Sequence, residues 1–121
     1  MSWFSVDEAR ALGPGLHSPA GSLRDKEFAA IVARYKRNIA SRYRALGPDE
    51  IGHLYEQRML ISPKIDGETW FLIMARDRVA LANPRGRVIS GPIPVLEEAR
   101  RMAHGVDRPL VFPGEVFALR K

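Results

Sequence analysis

A lysine with the chemistry of a nucleophile stands near the middle of this 121-residue chain, in the run Lys64-Ile65-Asp66-Gly67. A free lysine amine has a pKa of about 10.4, so at neutral pH almost all of it is protonated and unreactive. Partial burial or a neighbouring cation would lower that pKa and expose the lone pair. Gly67 would let the backbone turn tightly beside a ligand. The pattern predicts either a nucleophilic lysine or, since Asp-Gly is a common turn dipeptide, an ordinary surface turn.

The run Lys-x-Asp-Gly resembles the nucleophile motif of the covalent nucleotidyltransferases, the superfamily of ATP-dependent DNA ligases, RNA ligases and mRNA capping enzymes. Two later segments add to the resemblance. The loop Asn83-Pro84-Arg85-Gly86 is similar to the Ser-Arg-Asn-like loop of that family. Residues 110–117, which contain Glu115, look like the family's Asp-Gly-Glu strand with Pro113 in place of the aspartate. The resemblance extends over residues 58–120.

The resemblance implies a role for each matching residue. Lys64 would attack the α-phosphate of ATP, release pyrophosphate and hold AMP as a phosphoramidate, while Asp66 and Gly67 shape the turn around it. Arg85 would contact the nucleotide near its ribose. Glu115 would face the ribose or a metal-bound phosphate, with Mg²⁺ as the expected cation. The AMP would then pass to the 5′-phosphate of a DNA or RNA end, a reaction of DNA repair when the polynucleotide is DNA.

Some positions depart from the family pattern. Thr69 stands where DNA ligases usually have an arginine, which leaves RNA ligase open, and residues 61–63 lack the glutamate that often reads adenine. The later family motifs, which bind metal and the α-phosphate, have no candidates in this sequence. We therefore expect the N-terminal part of an adenylation domain, completed by the remainder of a ligase polypeptide or by a partner subunit. Alone, it is expected to adenylylate poorly or not at all.

The charge balance is compatible with two interpretations, a polyanionic partner or simply a basic, solvated surface. Lysine and arginine number 19 against 14 acidic residues, a formal charge of +5. Arg34, Arg37 and Arg44 lie in a basic segment that could contact nucleic acid. The same arginines could equally form the solvated face of an amphipathic helix. The alternative to an enzyme is thus a non-catalytic basic α+β module that binds nucleic acid or a protein partner.

The hydrophobic periodicity predicts an α+β fold, with N-terminal helices followed by a mainly antiparallel sheet with one inserted helix. Residues 1–21 are rich in glycine and proline and are expected to be an extension or loop pinned by Trp3 and Phe4. The resemblance implies that residues 22–121 form the partial adenylation domain. Helices are predicted over 22–46, 48–59 and 94–104. Strands are predicted over 59–62, 68–75, 78–82, 87–90, 110–112 and 115–119, with a break at Pro113-Gly114.

Several classes of protein are excluded by composition. Without cysteine, the chain has no disulfide scaffold, thiolate nucleophile or cysteine-based zinc site. No apolar run approaches the roughly 20 residues of a membrane-spanning helix. Acidic and basic residues near the N-terminus interrupt any export signal. A cytoplasmic protein without a membrane partner is expected.

Overall fold

The computed structural model describes residues 2–117, apart from the side chain of Tyr55. These residues form an α+β fold, as the sequence predicts, in which helices pack against a six-stranded antiparallel sheet. The strands are β1 (Arg10–Leu12), β2 (Gly15–Ser18), β3 (Glu68–Ala75), β4 (Arg78–Ala82), β5 (Val88–Ser90) and β6 (Leu110–Val116). The helices are α1 (Lys26–Asn38), α2 (Pro48–Ile51) and α3 (Pro94–Met102). None of the helices in this range is long and apolar enough to cross a membrane.

Strand β3 is the longest strand of the sheet and pairs on both sides. The strand order is β1-β2-β5-β4-β3-β6, and every pair is antiparallel. The two-residue turn Arg76-Asp77 joins β3 to β4, where Ala75 lies opposite Arg78. On the other side, β6 pairs with β3 from Leu110 opposite Met74 to Val116 opposite Glu68. The sheet therefore fixes the relative positions of the segments that carry the candidate site residues.

The two faces of the sheet bury separate hydrophobic clusters. Because side chains alternate along a strand, Phe71 and Ile73 of β3 face one side, and Trp70 and Met74 face the other. The first side packs against α1 and the N-terminal residues Trp3, Phe4, Leu23, Phe28 and Val32. The second side packs against Leu96 and Ala99 of α3. The result is a sheet between two helices, which buries β3 on both faces.

Helix α1 begins at an aspartate cap and is shorter than the sequence predicts. The Asp25 carboxylate accepts hydrogen bonds from the backbone N–H groups of Glu27 and Phe28, at 2.9 and 3.1 Å. The predicted helix 22–46 is wrong at both ends, since α1 spans Lys26–Asn38. Beyond Asn38 the apolar periodicity has no core to face, and Tyr43 is 71% exposed. A short 3₁₀ turn at Ala40–Arg42 follows instead.

The segment between α1 and β3 also differs from expectation. The predicted helix 48–59 is a four-residue α2 followed by a 3₁₀ turn at Gly52–Glu56. The predicted strand 59–62 does not form. Leu60 and Ile61 are almost fully exposed, because this part of the chain has no strand partner within residues 2–117. The β-prone composition of the segment is therefore not realised as a strand.

Two further differences concern the edges of the sheet. Residues 1–21 were expected to be an extension or loop, but β1 and β2 lie within them, and β2 pairs with β5. Trp3 is buried and donates a hydrogen bond from Nε1 to the Ala75 carbonyl at 3.1 Å. The predicted break at Pro113-Gly114 does not occur, and β6 runs continuously. An edge strand tolerates proline, since its outer side needs no backbone N–H.

Replacing Asp25 with alanine should destabilise the protein by about 1 kcal/mol, because two N–H groups of the first helical turn lose their acceptor. Urea unfolding followed by circular dichroism measures the change. Asp25→Asn is the matched control, since asparagine retains a capping oxygen and should preserve most of the stability. Equal losses in the two variants would show that the carboxylate acts through its charge and not as a cap.

Candidate functional site

A cavity of about 510 Å³ opens where β3 and β5 begin and β4 ends. Its lining comes from one side of α1, from residues 67–69, and from the loop that follows β4. Three basic residues, Lys36, Arg85 and Arg87, and one acidic residue, Glu68, contribute to the lining. This excess of positive charge suits an anionic ligand. Tyr35 also lines the cavity and offers an aromatic face beside the cations.

An asparagine holds the arginine-bearing loop in shape. The Asn83 side-chain oxygen accepts hydrogen bonds from the backbone N–H groups of Arg85 and Arg87, both at 3.0 Å. The loop then turns at Gly86, whose φ of 78° is a conformation that glycine adopts without strain. The loop is thus closed by its own hydrogen bonds. This fixes the loop that carries Arg85 at the edge of the cavity.

Arg87 is oriented by a histidine from the N-terminal hairpin. Its Nε donates to His17 Nε2 at 3.0 Å, so that ring nitrogen acts as an acceptor. Burial lowers the pKa of His17, and the positive charge of Arg87 lowers it further, against a smaller opposing effect of Glu68. Trp70, whose ring lies edge-on to His17, donates from Nε1 to Glu68 at 3.1 Å. A network of four side chains therefore supports this end of the sheet.

Lys64 stands outside the described secondary structure and is open to solvent. Its side chain is 86% exposed, and Nζ forms an ion pair with Asp66. The hydrogen bond to Asp66 raises the pKa of Lys64, and the charges of Asp66 and, to a smaller extent, Glu115 raise it further. The partial burial that would lower the pKa of a nucleophilic lysine is absent. The exposure of Lys64 and its ion pair with Asp66 therefore favour the protonated form of the amine.

Gly67 lines the cavity just before β3, and Glu115 lies beside the cavity on β6. Glu115 lies directly opposite Thr69, whose Oγ1 donates to its carboxylate at 3.4 Å. Thr69 lines the cavity. A Cβ on Gly67 would come within 2.4 Å of the Val116 carbonyl oxygen, so only glycine allows the chain to approach β6 so closely. The start of β3 is thereby fixed against the end of β6.

The structure brings some of the predicted site residues together and leaves others apart. Gly67 and Arg85 line the same cavity, and Glu115 adjoins it through Thr69. Lys64 and Asp66 pair with each other beside this group but do not line the cavity. The predicted nucleic-acid residues lie elsewhere on the surface. All three are exposed, Arg34 and Arg37 on α1 and Arg44 after it, where Arg44 forms a 2.6 Å ion pair with Glu50.

The ligands expected for a metal are sparse at this site. Among residues 2–117, no group of three histidine, aspartate or glutamate side chains is placed to hold a metal ion. Glu115 offers one carboxylate, and Asp66 is engaged by Lys64. Mg²⁺ in phosphate-transfer sites usually takes one or two carboxylates and completes its shell with substrate phosphates and water. The described residues suit a cation that arrives with phosphate groups, and not one held by their own side chains alone.

Two lining residues, Lys36 and Arg87, and His17, which supports Arg87, were not predicted at this site from the sequence. Lys36, Arg87 and His17 reach this end of the sheet only through the packing of α1 and the pairing of β2 with β5. Of these three, only Arg87 could have been predicted locally, because it follows Arg85 by two positions in the same loop. Comparisons of the chain with models of protein families, with curated protein sequences and with solved structures find no match. The function is therefore argued from the site itself.

Replacing Asp66 with asparagine should lower the pKa of Lys64 toward its ordinary value, because the ion pair that stabilises the ammonium form is lost. At a pH near 9, the deprotonated fraction of Lys64 should rise. Competitive labelling of amines with acetic anhydride, followed by mass spectrometry, measures this as faster acetylation of Lys64. Asp107→Asn, far along the chain, is the control and should leave the rate unchanged. An unchanged rate in Asp66→Asn would contradict the pairing.

Proposed function

We propose that this chain carries the nucleotide-binding part of a lysine nucleotidyltransferase of the ATP-dependent ligase type. The observation that supports it best is the meeting of three distant segments at one end of the sheet. Gly67 and Arg85 line one cavity, and Glu115 is hydrogen-bonded to Thr69 in its wall. A surface turn that contained Lys-x-Asp-Gly by chance would not require these segments to adjoin.

The charge and shape of the cavity favour a nucleotide as the ligand. Arg85 and Lys36 would bind phosphate oxygens, and arginine is suited to two-pronged contacts with such groups. The Tyr35 ring, held edge-on against Phe71 at 5.3 Å between centroids, gives a base or ribose an apolar surface. When bound with the nucleotide, Mg²⁺ would neutralise phosphate charge next to Glu115.

The chemical step requires Lys64 to leave its ion pair. The hydrogen bond between Lys64 and Asp66 raises the pKa of the lysine and lowers the pKa of the aspartate. Because both shifts oppose proton transfer from Lys64 to Asp66, Nζ loses its proton to water. The free lone pair attacks the α-phosphorus of ATP, a nitrogen–phosphorus bond forms, and the bond to the departing pyrophosphate breaks. The AMP then moves to the 5′-phosphate of a DNA or RNA end. Groups that match the later family motifs would come from a partner subunit or from further ligase polypeptide.

Incubation with α-labelled ATP and Mg²⁺ should give slow, substoichiometric labelling of the protein at Lys64. The label should be acid-labile and alkali-stable, as a phosphoramidate is. Lys64→Ala should abolish it, and Arg85→Ala should reduce it by weakening nucleotide binding. Lys26→Ala, which alters an exposed lysine at the start of α1, is the control and should retain the label.

Labelling with periodate-oxidised ATP gives a second measurement that does not depend on turnover. This reagent captures lysine amines beside a bound nucleotide, and the sequence contains only four lysines. We expect capture at Lys36 or Lys64 that unmodified ATP prevents. Capture spread over the lysines, and unaffected by ATP, would overturn the proposal.

A second candidate function is the binding of a polynucleotide by α1 without catalysis. It is favoured by Arg34 and Arg37, which are exposed and take part in none of the ion pairs within the described residues. Lys36, on the same helix, lines the cavity, so the two surfaces adjoin. A polynucleotide bound along α1 could therefore place its end in the cavity.

Replacing Arg34 and Arg37 together with alanine should weaken binding of a single-stranded oligonucleotide and flatten its salt dependence. Each lost phosphate contact removes about 0.7 from the slope of log K against log salt. Fluorescence anisotropy at several salt concentrations measures the slope. Arg10→Ala, an exposed arginine on β1, is the control. If the double variant bound with the slope of the unchanged protein, α1 would not be the binding surface.

A further inference from the structure

The 83–87 loop, which joins β4 to β5, is attached to the N-terminal part of the chain through the backbone. Gly21 donates its N–H to the Arg85 carbonyl at 3.1 Å, and Leu23 donates to the Gly86 carbonyl at 3.0 Å. A Cβ on Gly86 would lie only 3.2 Å from the Gly21 nitrogen, so the two segments are in close contact. Backbone amides do not titrate near neutral pH, so protons do not act on these contacts directly.

One side-chain hydrogen bond joins the same two parts of the chain and is sensitive to protons. Arg87, the last residue of the loop, donates from Nε to His17 Nε2 on β2 at 3.0 Å. A guanidinium group has only N–H donors and stays protonated throughout the physiological pH range. The bond therefore requires an unprotonated Nε2, which is found only in a neutral imidazole. A single proton on His17 is enough to remove this contact.

Protonation of His17 would set two donors and two positive charges against each other. The new N–H at Nε2 would face the Nε–H of Arg87, and both side chains are half-buried, so water screens their repulsion less than at the surface. Arg10 lies directly opposite His17 on β1 and adds a second basic residue to that face of the sheet. On the other side, the register partner of His17 is the apolar Ile89 of β5. Neither strand beside His17 offers the imidazolium a partner.

Glu68, at the start of β3, supplies the acidic group that a protonated His17 lacks on its own strands. Its carboxylate accepts a hydrogen bond from Trp70 Nε1 at 3.1 Å, and the Trp70 ring lies edge-on to His17 with 6.4 Å between centroids. Burial lowers the pKa of His17, the charge of Arg87 lowers it further, and the charge of Glu68 raises it by a smaller amount. Glu68 is therefore close enough to receive the imidazolium once His17 leaves Arg87.

We propose that neutral His17 locks the 83–87 loop to the N-terminal part of the chain, and that a proton from solvent opens this lock. In the open arrangement His17 pairs with Glu68, and Arg87 is released. Because Arg85 lies in the same loop at the edge of the 510 Å³ cavity, opening loosens one wall of that cavity. The lock consists of contacts among the described residues, so it holds whether or not the cavity binds a nucleotide.

The lock should make folding stability depend on pH through His17. The pKa of His17 is lowered in the folded chain, whereas in the unfolded chain histidine has its ordinary value of about 6.5. The unfolded state therefore binds more protons just below about pH 6.5, and stability falls as the pH drops through that range. His17→Gln keeps an oxygen that can accept from Arg87 but does not titrate, so this part of the loss should be absent in urea unfolding at about pH 5. His104→Gln, which changes an exposed histidine, is the matched control and should retain the loss.

Nuclear magnetic resonance of the whole chain tests the lock directly, because it reports the histidine ring and the loop contacts together. The His17 ring should titrate below about pH 6.5. Over the same range the amide protons of Gly21 and Leu23, whose acceptors lie in the loop, should lose about tenfold in protection from hydrogen exchange, the effect of one lost charge-assisted hydrogen bond. The intrinsic pH dependence of exchange is subtracted with values for unstructured peptides. In His17→Gln the protection of both amides should stay constant.

Glu68→Gln separates the two arrangements of His17. Removing the carboxylate charge takes away the partner of the imidazolium, so the titration of His17 and the loss of amide protection should both move to lower pH. The proposal is overturned if His17 titrates at or above its ordinary pH, or if the amides of Gly21 and Leu23 keep their protection while His17 becomes protonated. It is also overturned if His17→Gln loses protection over the same pH range as the unchanged protein.

Discussion

The pairing of β3 on both sides, with both of its faces buried, is the constraint on which the rest of the structure depends. Phe71 and Ile73 secure α1 on one face, and Trp70 and Met74 secure α3 on the other. The same strand begins at the 510 Å³ cavity beside α1. It ends at a second cavity of about 840 Å³, which the β3–β4 turn and the end of α3 line. A slip of one residue in its register would exchange the two faces and displace both cavities together. The chain therefore has little freedom to alter either cavity through β3.

The electrostatics of Lys64 define what the proposed chemistry must overcome. Asp66 favours the ammonium form of the lysine, and the opposing effect of desolvation is smaller because the side chain is 86% exposed. A ligand that placed phosphate beside Lys64 would add further negative charge and would favour the same protonated state. Activation therefore requires a change in the surroundings of Lys64, such as cover from solvent or a second cation. Under the proposed function, the ion pair is the arrangement of Lys64 before a ligand binds.

Local sequence signals predicted the sheet better than the helical region. The β3–β4 hairpin followed from a dense run of β-prone residues around Trp70 and a short polar turn, and both are present. The helical period continued past Asn38, but periodicity does not say whether a core exists to receive the side chains. Pro113 led us to predict a break that β6 does not have. Proline interrupts an inner strand but is tolerated at an edge, and only the topology shows that β6 lies at an edge. The expected strand at 59–62 failed for a similar reason, the lack of a partner.

The candidate site was predicted in part for the same physical reasons. Gly67 and Arg85 lie in turns whose composition marks them locally, and they share a cavity. His17 and Lys36 contribute through contacts between segments far apart in the chain, which no local pattern reports. The exposure of Lys64 also lay beyond sequence reasoning, because burial depends on what packs around a residue. Motif spacing located the candidates, and packing decided their chemical state.

The exposed apolar side chains ahead of Lys64 affect how copies of the protein meet in solution. Leu60 and Ile61 present apolar surface on a segment with no strand partner in the described part of the chain. Their association between copies is opposed by a formal charge of +5, which makes the molecules repel one another. Salt screens that repulsion over about 8 Å at physiological ionic strength and leaves apolar attraction intact. Higher ionic strength should therefore favour association of the molecules through exposed apolar side chains such as Leu60 and Ile61.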